Sequence, residues 1–472
     1  MVAERDTPAP ATPAARLSAI LQTGSGVALA GKALSTLPVL VFAGSLGFGF
    51  EIAMTILAVA ATLTLTAFLR SPPIGLLAVV CLCVLDVPLR VYVFTEYSLP
   101  YNSINYVLLA MGVVTIPTLL VARSAPGKWL AAFVVIILLQ LLPSSNHTLG
   151  MLVVLEVVAG LALIGGFLQW GRDDEVIRWA GIVAGVTGAS CLLAYLLNRP
   201  EQALNANAVA HVPLAAIVAI AVASARSGVI RNWALMMTLA TINIVLVFLT
   251  ESRGTFVLGV ILGIYIVLRS PGVMHKFLVI SLFAGMFAWA TATFAQEFGA
   301  TADKWARFMD PDVTISQATN RRVDLAAIGW DLFLEHPLGT GTGSFTDFQD
   351  YTFENLPTIR RAAHSAWVKT MAENGAPGLL LLAGFVLSFV MMRNRGDPRV
   401  GASFGALAAL VLALGFVSVE FQSKGLWMLA GGATALLSRL RSGEGREAEA
   451  ESHAPRLRAS VLRRPERPGA WR

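Results

Sequence analysis

Apolar runs close to the length needed to cross a bilayer recur along almost the whole chain, separated by short polar, Pro- or Gly-containing breaks. Read between these breaks, the pattern predicts helices over 33–49, 51–69, 73–89, 104–121, 129–145, 149–170, 176–196, 207–224, 233–250, 254–269, 275–294, 364–392, 400–418 and 421–438. The first two are short enough to form one interrupted pair, so about twelve to fourteen spans are expected. The predicted fold is an all-α polytopic membrane protein. One connection breaks the rhythm, because about 70 residues, 295–363, separate the eleventh and twelfth runs. Within it, 323–334 repeats apolar residues at helical spacing, and Trp330 and Phe333 suit an amphipathic helix lying on the membrane interface. Residues 1–32 and 441–472 are rich in Ala, Pro, Glu and Arg and read as disordered tails. The expected order is therefore tail 1–32, a first helix set over 33–294, the large loop 295–363, three helices over 364–440, and tail 441–472. No internal repeat is visible, which matters because many transporters are built from two related halves.

Composition agrees with the pattern. Of 472 residues, 56% are hydrophobic and only 14% are charged, against about 25% charged in an average soluble domain. The mean hydropathy is +0.68, and a soluble enzyme is ruled out. The net charge of +6 comes from basic residues scattered over short loops and a tail, with no basic domain to track phosphates, so no nucleic-acid partner is expected. Cys81, Cys83 and Cys191 lie in apolar runs and form neither a disulfide framework nor a metal-type cluster. The stretch up to Leu21 lacks the apolar core of a signal peptide.

The basic residues orient the chain instead. With both termini in the cytoplasm, Arg70, Arg123 and Lys128, Arg172 and Arg178, Arg226 and Arg231, Arg269 and Lys276, and Arg393, Arg395 and Arg399 all fall inside. The alternate connections are nearly free of Lys and Arg, and the large loop lies outside. Basic residues on the outer side are few, and each asks for a reason. Arg253 stands at the outer mouth of a span, in Thr250-Glu251-Ser252-Arg253-Gly254; Arg321 and Arg322 lie in the large loop; His364 opens the helix that follows it. A guanidinium fork matches phosphate oxygens, stays charged and needs no metal. An imidazole, with an ordinary pKa of about 6.5, can take a hydroxyl proton at neutral pH. The combination points to a phosphorylated lipid headgroup. Taken singly, Arg253 also fits an interfacial anchor, Arg321 and Arg322 a solvated helix face, and His364 a structural role. Asn207 and His211, with Asn205, approach the same face and are candidates to touch sugar or phosphate.

Three ordered segments make the chain resemble the O-antigen ligase and O-antigen polymerase superfamily of bacterial membrane glycosyltransferases. They are Glu251-Ser252-Arg253-Gly254 before an apolar helix; Arg322, Trp330 and then His336-Pro337-Leu338-Gly339-Thr340-Gly341-Thr342-Gly343-Ser344-Phe345; and His364-Ser365 followed by Glu373-Asn374-Gly375 and Gly378-Leu379. With one large external loop, they cover roughly 200–395. Trp330 lies farther from the arginine than is usual in the family, and the Arg321-Arg322 doublet leaves two candidates for one role, of which spacing to His336-Pro337 favours Arg322. The resemblance implies transfer of a glycan from an undecaprenyl-diphosphate carrier at the outer face of the bacterial inner membrane. The acceptor would be a lipid A core for a ligase, a carrier-linked glycan for a polymerase, or a protein hydroxyl for an O-oligosaccharyltransferase. Arg253 and Arg322 would clamp the diphosphate, and His364 would act as base or phosphate donor. Such a glycosyltransferase needs neither cofactor nor metal.

Other features carry competing expectations. Gly339-Thr340-Gly341-Thr342-Gly343 looks like a phosphate loop but lacks its Lys-Ser/Thr ending, so a flexible loop is expected. Asp310-Pro311-Asp312 reads as a turn rather than a metal-binding pair. Lys369 and Glu373, four apart on one helix, are expected to pair with each other, about 140–180° round from His364. Glu156 is a lone carboxylate in a span with no evident role. A secondary transporter using Glu156, Lys369 and Glu373 as an ion path is the rival from another class, and a lipid-binding scaffold is a third. A transporter gathers its polar groups near the bilayer midplane, whereas the enzyme should gather Arg253, Arg322 and His364 around one outer cavity.

Overall fold

A computed structural model describes residues 24–65, 71–94, 103–121, 124–171, 173–198, 206–225, 232–250, 252–270, 272–307, 310–314, 319, 322–351, 363–392 and 398–442. Within them lie α-helices and no strand. The helices are α1 (Gly24–Phe48), α2 (Phe50–Leu65), α3 (Pro72–Val84), α4 (Asp86–Leu89, continued by a π-turn over Arg90–Phe94), α5 (Ser103–Val121), α6 (Ala125–Leu139), α7 (His147–Trp170) and α8 (Asp174–Asn198). After them come α9 (Ala206–Ser224), α10 (Trp233–Leu249), α11 (Arg253–Leu268), α12 (Val273–Thr293), α13 (Ala295–Ala306), α14 (Arg322–Glu335), α15 (Ala366–Met391), α16 (Pro398–Ser418) and α17 (Lys424–Ser442).

The protein is an all-α polytopic membrane protein. Among the described residues, α1, α7, α8, α12 and α15 are long and apolar enough to cross a bilayer, and α3 with α4 forms a sixth span bent by 70°. Helices α5, α6, α9, α10, α11 and α16 fall where the sequence predicts further spans but have shorter apolar stretches, of 10–17 residues. Among the described residues, helices of full spanning length are fewer than the twelve to fourteen runs read from the sequence, and the shorter helices stand at other predicted runs. Helix α1 begins at Gly24, inside the stretch expected as a tail, and α17 runs to Ser442. The rest of both expected tails, 1–23 and 443–472, lies outside the described residues.

The core is built around α9. From Val209 to Ala223 every residue except His211 is buried. A helix that is apolar on all sides must be surrounded, and its many alanines let α8, α11 and α17 approach closely. Helix α12 is the opposite case. Val273, Phe277, Leu278 and Ile280 stand exposed, as expected of side chains facing lipid. Aromatic packing fixes the turn before α17. Trp427 is fully buried, stacks on Phe421 and donates its indole N–H to the Phe421 carbonyl at 2.7 Å.

The glycine-rich segment after α14 is a wedge, not a flexible loop. The Thr340 and Gly341 amides donate to the carbonyls of Ala372 and Glu373 in α15, and the Thr342 amide donates to Gln140 at the end of α6. The Phe345 amide donates to the Glu373 carboxylate at 3.2 Å. Gly339, Gly341 and Gly343 adopt φ of +100°, +107° and +92°, and a Cβ on any of them would run into neighbouring backbone. Only glycine meets both demands. The wedge meets α15 where Gly375 (φ 60°, ψ −156°) breaks the helix and Ala376 donates to Pro337. The segment therefore pins the large loop to the membrane domain, against α15 and the end of α6.

Candidate active site

Alternating helix directions bring the starts of α9, α11, α14, α15 and α17 and the end of α16 to one end of the bundle. Helix α11 reaches this corner by close approach: a Cβ on Gly254 would lie 3.0 Å from Ser418 Cβ, so the second residue of α11 abuts the last residue of α16. Helix α14 is fixed by its own first side chain, for Arg322 Nη1 donates to the Ser418 carbonyl at 3.2 Å. Ser252 Oγ lies 2.8 Å from Asn207 Oδ1 and 3.0 Å from Thr255 Oγ1, tying the start of α11 to α9.

A cavity of about 220 Å³ opens at this corner, and Asn207, His211, Arg322 and His364 all line it. Arg253 is half-buried and close enough for its charge to act on Arg322; Arg307, at the end of α13, acts in turn on Arg253. Burial and then Arg253 lower the pKa of Arg322, which still leaves a guanidinium charged at neutral pH. Three guanidinium groups in one corner repel one another unless an anion shares it. Of the seven residues singled out from the sequence, four line this cavity and Arg253 lies near it, while Asn205 and Arg321 lie outside the described residues.

His364 holds an uncommon backbone, with φ of 51°, just before Ser365 caps α15 by accepting the Val368 amide. Its own amide donates to Glu420 Oε1 at 3.2 Å, and Lys369 Nζ donates to Glu420 Oε2 at 2.9 Å. This corrects the pairing expected of Lys369 with Glu373. Lys369 reaches across to the connection between α16 and α17, while Glu373 holds the glycine wedge. His364 itself precedes α15 and holds a left-handed backbone, so it stands outside the helical register of Lys369 and Glu373. Burial opposes ionisation of Glu420, but Lys369 and the His364 amide outweigh it and hold the carboxyl below its usual range.

The cavity also holds residues that the sequence reading passed over. Asp86 and Arg90, both buried, form a two-point ion pair at the break between α3 and α4, with contacts of 2.9 and 3.1 Å. Glu420, Gln422, Ser423 and Lys424 line the same cavity. Asp86 lies within the apolar run read as 73–89 and Arg90 just beyond it, and an ionisable residue in a span is a functional candidate by default; that signal was available. Asp310 forms the expected turn, its carboxylate accepting the Asp312 amide at 3.0 Å. Among the described residues, no group of three His, Cys, Asp or Glu side chains is placed to hold a metal ion.

Neutralised anion, positioned hydroxyl and nearby base are what transfer from a phosphorylated donor requires. No curated protein matches the chain. Residues 234–383 match the family model described as O-Antigen ligase, a stretch narrower than the 200–395 marked out by the sequence motifs. It contains Arg253, Arg322 and His364 and leaves out Asn207, His211 and Lys424. The match over residues 234–383 supports the resemblance of the chain to the O-antigen ligase and O-antigen polymerase superfamily of membrane glycosyltransferases.

Proposed function

We propose that the chain transfers a glycan from an undecaprenyl-diphosphate carrier to an acceptor hydroxyl at the outer face of the bacterial inner membrane. The observation that carries this reading is the meeting of Arg322 and His364 in one cavity, with Arg253 close enough for its charge to act on Arg322. All three lie at or beside helix starts, not in mid-helix, which favours a headgroup enzyme over a midplane transport path. The positive-inside pattern supports an outward-facing site with both termini cytoplasmic.

In this reaction the acceptor oxygen attacks the anomeric carbon, the bond from that carbon to the phosphate oxygen breaks, and undecaprenyl diphosphate leaves with both bonding electrons. Arg253 and Arg322 bind the diphosphate and neutralise the charge that grows on it. His364 takes the hydroxyl proton. Glu420 fixes the His364 backbone and favours the imidazolium that results. The guanidinium groups do the work of a metal ion, so turnover is expected to survive chelation. Deleting the gene and sizing surface glycans tests this reading and divides its branches. Single repeats without long chains mark a polymerase. Complete chains stranded on the carrier mark a ligase, or an O-oligosaccharyltransferase if a glycoprotein disappears. Unchanged glycans with no carrier-linked intermediate would overturn the proposal.

A further inference from the structure

Lys424, the first residue of α17, is 2% exposed, and its ammonium has no hydrogen-bond or ion-pair partner among the described residues. An unpaired buried charge is strongly destabilising and is seldom kept without a partner. Its surroundings do not supply one. Asp86, the carboxylate with the largest effect on it, is engaged by Arg90 through two contacts. Glu156 acts on it only from beyond ion-pair range. Glu420 is taken by Lys369. Yet Lys424 lines the same cavity as Arg322 and His364, together with the helix break at Asp86. With those carboxylates already paired, the cavity presents two cations, Arg322 and Lys424, whose charge no carboxylate contact cancels among the described residues. A phosphodiester of a diphosphate carries one negative charge on each phosphate.

We infer that Lys424 binds the second phosphate of the carrier and thereby makes the site selective for diphosphate over monophosphate lipids. The inference rests on the carrier reading above. Arg253 and Arg322 serve the first phosphate, and either lipid can meet them. Lys424, buried in the lining, can be satisfied only by a headgroup that enters the cavity. A purely structural lysine, balancing Asp86 or the carbonyl end of α3, would show no such preference.

The test uses the full-length protein in nanodiscs and compares binding of undecaprenyl diphosphate with that of undecaprenyl monophosphate. The wild type should favour the diphosphate by roughly ten- to a hundredfold, the scale of one charge-assisted contact. Lys424→Met should remove most of that preference by weakening diphosphate binding while leaving monophosphate binding unchanged, and Lys424→Arg should retain it. Without lipid, Lys424→Met should melt at or above the wild-type temperature, because an uncompensated charge has been removed. Lys424→Gln carries the same comparison if the methionine variant does not accumulate. A preference that survives loss of the charge, or a variant that melts early and loses both lipids equally, overturns the inference and leaves the carrier reading intact. A wild type that binds neither lipid overturns the carrier reading and this inference with it.

Discussion

Replacing His364 with alanine should slow glycan transfer by roughly 10²- to 10⁴-fold, the usual contribution of a general base. Carrier binding should remain near wild type, because the base acts on the acceptor. The geometry makes this separation testable. His364 lines the cavity but is held through its backbone amide on Glu420, so removing the imidazole leaves the Glu420–Lys369 pair and the cap of α15 in place. Single-turnover rates at saturating donor, with carrier affinity measured in parallel, check the prediction. A loss of affinity equal to the loss of rate would instead make His364 a phosphate donor. Glu420 does not confuse the acid side of the profile. Its pKa is depressed in the fold, so its stabilising contribution is present above the ordinary carboxylate pKa and is lost only as pH falls through the depressed one. Loss of transfer at mildly acidic pH with an unchanged melting temperature therefore reports on a different group.

Arg253→Lys should impair turnover by about ten- to a hundredfold, although it conserves charge. Lysine keeps the cation but not the planar fork, and a charge-assisted contact to phosphate is worth about 1.5–3 kcal/mol. Arg322→Ala should act on binding, rate or both, since its contact persists from ground state to transition state. It also removes the bond to Ser418, so its stability must be measured separately. For Arg253→Lys the relevant measurement is kcat/KM at normal protein abundance. A wild-type value would remove Arg253 from the proposed clamp.

Much of this corner was legible in the sequence, for a physical reason. Cations are scarce on the outer side of a membrane protein, so Arg253, Arg322 and His364 stood out against an apolar background. The amphipathic helix read over 323–334 is α14, and its face carrying Leu325, Ile328 and Leu332 is buried while Trp330 is exposed. The glycine-rich segment was misread because composition reports freedom of the backbone, not its use. The same positive φ that permits a flexible loop here permits a tight wedge. The pairing of Lys369 failed because spacing of four residues sees only one helix, while Glu420 lies 51 residues away and meets it through the fold. Asp86, Arg90 and Lys424 were hidden by a related effect. Hydropathy absorbed Asp86 and Lys424 into apolar runs and left Arg90 at a run's edge, and only packing shows that all three meet in one cavity.

The central claim is a bond made and a bond broken, and purified protein tests it most directly. Supplied with glycan-linked undecaprenyl diphosphate and an acceptor, with EDTA present, the protein should yield glycosylated acceptor and free undecaprenyl diphosphate in equal amounts. Intact carrier-linked glycan recovered unchanged from either side of the membrane, with no new glycosidic bond, would contradict the account.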